Sequence, residues 1–256
     1  MHADNFTLAR YLERIGHDGD TRPDITTVAA LMRRQLFTVP FENLDVQAGR
    51  VVSLVPEDIV EKILERHRGG YCYEVNGLFA MALEALGVPY RFVAARPMFY
   101  PVKRPKTHMA LVVHASGADW LCDLGFGSYG IRAPMNLAEL DAEVPQDMDA
   151  FMLSRLDGDA FVLKARAGGQ WLNQYAFDLS PQEWVDFVPA NYLNSTHPDA
   201  IFVQKRVVVL HNETGRSMLV GNALKVVRDN DVVETALDDA SVADELERRF
   251  GLYPVV

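Results

Sequence analysis

The run Arg68-Gly69-Gly70-Tyr71-Cys72-Tyr73-Glu74-Val75-Asn76-Gly77 carries the residue best suited to chemistry, Cys72. The glycine pair lets the backbone turn tightly, and a helical pattern of apolar residues starts at the cysteine. A thiol at a helix N-terminus feels the positive end of the helix dipole, which favours the nucleophilic thiolate form. The same helix start leaves backbone N–H groups available to an oxyanion. The alternative is a small buried apolar residue, the usual fate of a free cysteine. A partner base would decide between the two, and it must come from elsewhere in the chain.

Seven histidines are available. His2 and His17 sit near the N-terminus and near a turn. His67 ends a helical pattern, where its simplest role is to face helix carbonyls. His197 precedes a proline. His108 differs, because it opens the apolar run Met109–Val113, and a strand end at a sheet rim can aim a side chain into a cleft. His114, at the other end of that strand, is its competitor, and the alternative for His108 is a strand-edge residue without a role. Asp123 lies in Trp120-Leu121-Cys122-Asp123-Leu124, a carboxylate inside an apolar strand. Burial without partners is costly, so such a group calls for a cation or an N–H donor. A histidine ring bonded to it would be fixed in tautomer and stabilised in its charged form. A turn or capping role at Gly125 is the alternative. Cys122 points to the opposite face of the strand and reads as core.

Gly125-Phe126-Gly127-Ser128-Tyr129-Gly130 spells GxGxxG, but no βαβ unit surrounds it and no helical pattern follows. It reads as a loop beside the cysteine where backbone approaches a ligand closely. Phe126 and Tyr129 either line an apolar pocket there or cover the end of the sheet.

The elements that must position these groups follow from periodicity. Leu8, Tyr11, Leu12 and Ile15 predict a helix stopped by Gly16, and Ile25 to Leu36 predict a second. Pro56 starts a third, through Leu64, and Cys72 to Leu86 form a fourth. Short strands follow at Tyr90–Arg96, His108–His114, Trp120–Leu124, Phe161–Ala165 and Trp171–Phe177. Residues 178–200, with Pro181, Pro189 and Pro198, read as loop with short helical turns. Strands at Val207–Leu210, Ser217–Val220, Leu224–Val227 and Val232–Thr235 precede a last helix after Asp239, with Ser241 and Asp244 as its capping pair. The expected fold is α+β: a helical bundle over 1–86, an antiparallel β-barrel over 87–185 and an α/β lid over 186–256.

The 256 residues are 49% hydrophobic and 23% charged, the composition of a soluble globular chain. A formal net charge of −10 argues against nucleic acid and anionic membrane surfaces as partners. The two cysteines show no zinc-ligand spacing, so no metal is expected. Without a signal-peptide pattern or a membrane-length apolar run, the expected compartment is the reducing cytoplasm.

Several segments together resemble the arylamine N-acetyltransferases. The cysteine run through Phe79 is similar to the family's nucleophile motif, Thr107-His108-Met109 to its histidine motif, and Asp123-Leu124-Gly125-Phe126-Gly127 to its aspartate motif. Leu124 stands where many relatives have valine. Val39-Pro40-Phe41-Glu42-Asn43-Leu44, Ala133-Pro134 and the stretch from Tyr175 to Phe202 also match in order, so the likeness spans most of residues 1–205. It implies a Cys72–His108–Asp123 triad on a cysteine-protease-like core, with acetyl-CoA as co-substrate and ping-pong transfer. It also implies an arylamine, hydrazine or N-hydroxyarylamine acceptor. Phe41, Tyr71, Phe126, Gly127, Ser128 and Tyr129 become candidate substrate contacts. Arg96, Lys103, Arg104 and Lys106 form a basic cluster that either attracts the CoA phosphates or is a solvated loop. Rival readings are an amide synthase on the same scaffold, a cysteine hydrolase, and a binding module with a structural cysteine.

Overall fold

Thr7 and Asp24 each accept a hydrogen bond from the backbone N–H three residues on, and each opens a helix. In the computed structural model, which describes residues 1–253 apart from 128, 157 and 230, α1 (Leu8–Ile15) ends on left-handed Gly16, as its spacing predicts. α2 (Ile25–Thr38) buries Val28, Leu31, Met32 and Leu36. Gln35 shares that buried face: its amide oxygen accepts the Tyr11 hydroxyl and its NH2 donates to the Val75 carbonyl. A two-residue strand, β1 (Phe41–Glu42), and α3 (Leu44–Gln47) follow. α4 (Pro56–Val60) starts on its proline and runs into one π-helical turn, Glu61–Glu65, so the expected helix through Leu64 widens at its end. α5 (Cys72–Ala85) is buried almost all round, which makes it a core helix rather than an amphipathic one.

Eight antiparallel strands then form one sheet. They are β2 (Tyr90–Pro97), β3 (His108–Ala115), β4 (Ala118–Cys122), β5 (Met135–Asn136), β6 (Val144–Gln146), β7 (Asp149–Arg155), β8 (Phe161–Ala167) and β9 (Gln170–Phe177), in the order β5-β4-β3-β2-β9-β8-β7-β6. The periodicity locates β2, β3, β8 and β9 but misses β5, β6 and β7. β5 and β6 are edges with no ladder between them. The Gln146 side chain spans the gap instead, accepting the N–H groups of Arg132 and Ala133 at 2.6 and 3.1 Å and donating to the Ala133 carbonyl at 3.0 Å. With no ladder between these edges, the expected antiparallel β-barrel is an eight-stranded half-barrel, and Pro134 and Pro145 supply no N–H beside them. β4 also stops earlier than expected. The Asp123 carboxylate accepts the Gly125 N–H at 2.9 Å, and this local turn takes Asp123 and Leu124 out of the ladder.

A 3₁₀ turn, Trp184–Phe187, leads into α6 (Val188–Thr196) and α7 (Ile201–Gln204). α6 forms despite Pro189 because the proline falls in its first turn, where no N–H is required. β10 (Val207–Asn212), β11 (Gly215–Val220), β12 (Ala223–Arg228) and β13 (Asp231–Ala236) build a second antiparallel sheet. Its fifth member is β1, with Phe41 opposite Val209 and Glu42 opposite Val208. The N-terminal part of the chain thus edges the C-terminal sheet. α8 (Asp239–Phe250) packs Val242, Leu246 and Phe250 onto that sheet. Its cap is Asp238, which accepts the Ser241 N–H at 2.8 Å; the Ser241–Asp244 pair does not cap it, because Ser241 already lies inside the first turn.

Candidate active site

Cys72 is the first residue of α5, and Glu74 fixes the start of that helix by accepting the Tyr71 N–H at 3.0 Å. Burial pushes the Glu74 carboxyl up to about 7, against the pull of Lys62. Behind the helix start, Lys62 lies 2.6 Å from both Asp45 and Glu74, and Arg68 lies 2.7 Å from Glu42. These charges satisfy one another.

His108 opens β3, and its Nε2 lies 2.7 Å from Asp123 Oδ2. The other carboxylate oxygen accepts the Gly125 N–H and, at 3.1 Å, the Asn76 NH2. Asn76 stands one turn beyond Cys72. It also donates to the Met109 carbonyl at 2.8 Å and accepts the Leu124 N–H at 2.9 Å. One amide on the cysteine helix therefore sets both β3 and the Asp123 turn relative to Cys72. Gly125 allows the closest approach: a Cβ there would sit 2.4 Å from the Cys72 Cα. The Thr107 carbonyl, just before His108, is held by the Tyr73 hydroxyl at 3.0 Å and the Asn194 NH2 at 2.9 Å.

The electrostatics are those of a buried ion pair. Burial alone would raise the Asp123 carboxyl, but the His108 charge and hydrogen bond, the Gly125 N–H and Asn76 hold it below the usual carboxylate range. Burial likewise opposes charge on His108. The Asp123 charge and hydrogen bond, with a smaller contribution from the nearby Cys72 thiol, outweigh it and lift the ring to about 10. This environment favours the protonated imidazole. Nε2 faces Asp123, which leaves Nδ1 for the sulfur side.

Cys72 and His108 open on a cavity of about 310 Å³. Its walls are largely apolar and include Phe41, Phe99, Phe126, Phe202, Val209 and Met218. Of the candidate contacts, Phe41, Phe126 and Gly127 line this cleft. Tyr71 does not: it lies fully buried behind the cysteine, its hydroxyl bonded to Asn191 and Ser195. Tyr129 also falls outside the walls, packed under the Arg216 guanidinium 4.5 Å from its ring. Ser128 lies outside the described residues.

The basic cluster divides. Arg104 lines the cleft and Lys103 is exposed, whereas Arg96 donates to the Arg104 carbonyl and Lys106 pairs with Asp178 at 2.6 Å. His114, the competitor, is exposed and paired with Asp119. Cys122 is core, and burial pushes its thiol up. No cluster of three metal-binding side chains occurs among the described residues. No helix there is long and apolar enough to cross a membrane.

Asn76 and the walls from residues 193–220 were not singled out in the sequence. Asn76 carried one signal, a polar residue one turn after the cysteine in an otherwise apolar helix. The distant walls carried none.

The sequence matches the N-acetyltransferase family over residues 24–253. It is 34% identical over 253 residues to the arylamine N-acetyltransferase of Mycolicibacterium smegmatis, covering 96% of this chain and 91% of that one. The fold superposes on the arylamine N-acetyltransferase of M. tuberculosis with a TM-score of 0.91 at 34% identity, covering 96% and 93% of the two chains. The corresponding values for the Mycobacterium marinum enzyme in complex with CoA are 0.89, 33%, 96% and 92%.

Proposed function

The chain belongs to the arylamine N-acetyltransferase family, and on that premise we propose that Cys72 takes an acetyl group from acetyl-CoA and passes it to an arylamine, hydrazine or N-hydroxyarylamine. The observation that carries this reading is the buried His108–Asp123 pair beside the Cys72 sulfur, at the mouth of an apolar cleft. In the reactive form of the site, Cys72 and His108 hold one proton between them, on the imidazole. The sulfur attacks the thioester carbonyl carbon, and the oxyanion forms near the N–H groups at the start of α5. The carbon–sulfur bond to CoA breaks, and the departing CoA sulfur takes the His108 proton. The acceptor nitrogen then attacks the Cys72 thioester, His108 removes its proton, and the Cys72 sulfur leaves. Two steps through one intermediate give ping-pong kinetics. Asp123 orients the ring and balances its charge throughout.

The cleft suits a flat aromatic acceptor, with Phe126 packed edge-on to the His108 ring, centroids 5.1 Å apart. Arg104 and Lys103, at or beside the lip, are the cations best placed for the donor phosphates. Residues 1–86 supply the nucleophile on a cysteine-protease-like core and 87–185 the base and its orienter. Residues 186–256 act as a lid that keeps water from the thioester. Free thiols at both cysteines suit a reducing cytoplasm.

Intact-mass measurement after exposure to acetyl-CoA tests the reading. One acetyl group should appear, map to Cys72, and be absent in Cys72→Ala. No adduct on the folded parent protein, or an equal adduct on the variant, would refute it.

A further inference from the structure

Two residues of the C-terminal sheet reach back to the segment that follows Asp123. His211 on β10 and Arg216 on β11 are cross-strand partners. The buried His211 ring places Nε2 3.0 Å from the Gly127 carbonyl, while Nδ1 has no partner among the described residues. A carbonyl only accepts, so Nε2 carries the proton. The ring stays neutral: burial, then the charges of Arg132 and Arg216, push it down to about 3, against the weaker pull of Asp149. Arg216 covers the Tyr129 ring and is itself anchored on Asp149 at 2.6 Å, a carboxylate that Arg132 also holds at 2.6 Å. Asp147 extends the anchor to Arg132 at 3.3 Å and to Arg33 of α2 at 2.7 Å.

This grip matters because, among the described residues, few hydrogen bonds fix the backbone of the segment, although the Phe126 ring packs on Phe99, His108 and Tyr175. Gly127 has φ +84°, a left-handed conformation open to glycine, and among the described residues its carbonyl otherwise accepts only the Gly130 N–H at 3.2 Å. Behind it lies a void of about 10 Å³ bordered by Asp123, Gly127, Gly130 and His211, room for one water at most. Phe126, the preceding residue, packs on His108 and, at 4.8 Å between centroids, on Tyr175. His108 and Asp123 have their own hydrogen bonds, and Cys72 is placed by the start of α5, so none of the three depends on this one.

We propose that His211 is a positioning residue for the acceptor: its N–H pins the Gly127 carbonyl, and through it the Phe126 wall, so that it governs amine binding and not the loading of Cys72. This rests on the acyl-transfer reading above.

The test compares His211→Leu, His211→Asn and His211→Gln with the parent. Only glutamine carries an N–H as far from the backbone as Nε2. For each protein the single-turnover rate of Cys72 acetylation by acetyl-CoA, the KM for para-anisidine and the melting temperature are measured. The leucine and asparagine variants should raise the acceptor KM about tenfold, with loading rates and the glutamine variant's KM within about twofold of the parent. The asparagine variant decides if the leucine variant does not fold. An unchanged KM in a folded leucine or asparagine variant overturns the proposal. So does an equal rise with glutamine, or a fall in loading that accompanies the rise in KM. Failure of the parent itself to load Cys72 would instead strike the acyl-transfer reading.

Discussion

Two buried ion clusters flank the start of α5, one closed and one open. In the closed cluster Lys62 and Arg68 are surrounded by Glu42, Asp45 and Glu74, and no member lines the cleft. In the open one Asp123 satisfies a single ring nitrogen of His108, and the rest of that ring faces Cys72 and the cavity. Glu42 and Glu74 are as buried as His108 and Asp123, whereas Lys62, Arg68 and Asp45 are partly exposed, so burial of the carboxylates does not separate the two clusters. What separates them is whether a charged group keeps a donor that its carboxylate partners leave free beside the Cys72 thiol; the Lys62 and Arg68 cluster borders a different pocket, away from that thiol. The closed cluster holds a helix start; the open one can move a proton. Substitutions should therefore divide, with the open pair acting on rate and the closed cluster on stability.

Asp123→Asn attacks the open side most directly. It keeps the shape but removes the charge that holds His108 protonated. We expect kcat/KM for the acceptor to fall about a thousandfold or more, with a smaller change in melting temperature. Steady-state acetylation assays and thermal melts check both halves of that expectation.

Asn76→Leu should come next, because Asn76 links the open pair to the helix that carries Cys72. It leaves Asp123 Oδ1 short of a donor and the Met109 carbonyl and Leu124 N–H without their side-chain partner. Each unsatisfied buried group costs about 1–3 kcal/mol, so kcat/KM should fall at least about tenfold and the melting temperature should drop clearly. An effect on stability alone would show that Asn76 belongs with the closed cluster.

The pH dependence of stability sharpens the contrast. The His108 ring is raised to about 10, so its stabilisation is complete below the unfolded value near 6.5 and is lost as pH rises towards 10. His108→Gln should flatten the denaturation midpoint across that window and abolish turnover. Glu74 is raised to about 7 by burial, so its ionised form costs stability above about 7, and that cost is relieved as pH falls towards 4.5. Glu74→Gln should remove this dependence while changing kcat/KM less than about threefold, since the amide oxygen can still accept the Tyr71 N–H. Urea titrations at several pH values measure both.

The smallest effect belongs to the charges at the lip of the cleft. Replacing Lys103 and Arg104 by alanine should raise the acetyl-CoA KM a few-fold at low salt, by about 1 kcal/mol or less, and the difference should shrink at high salt. An unchanged KM would remove the donor-phosphate role.

Legibility followed the range of the physical signal. α1, α2 and α5 were readable because their apolar residues repeat along one segment, and β10 to β13 because short β-branched runs alternate with turns. Cys72, His108 and Asp123 were readable as residue types at rims and turns, although nothing local showed that they meet. β5 and β6 are not readable: they are two and three residues long, and the Gln146 side chain of β6 bonds the backbone of Arg132 and Ala133 just before β5 in place of a ladder. The end of β4 was misjudged because the Asp123 side chain competes with the strand for its own backbone. Tyr71 and Tyr129 were misplaced because an aromatic beside a motif looks the same whether it faces a cleft or packs behind it. Val209 and Met218 reach the cleft through the pairing of β1 with β10, and Phe202 through the Asn43 and Gln47 amides that hold its carbonyl, contacts which no segment encodes alone.

The most direct measurement isolates acetylated Cys72 free of CoA and follows the acetyl group by mass with and without an arylamine. Transfer through an intermediate held at the open pair requires that the acetyl group persist in buffer. On addition of the amine it should leave rapidly, with one N-acetylated product per thiol. Loss to free acetate at the same rate with and without amine would contradict transfer and mark the site as hydrolytic.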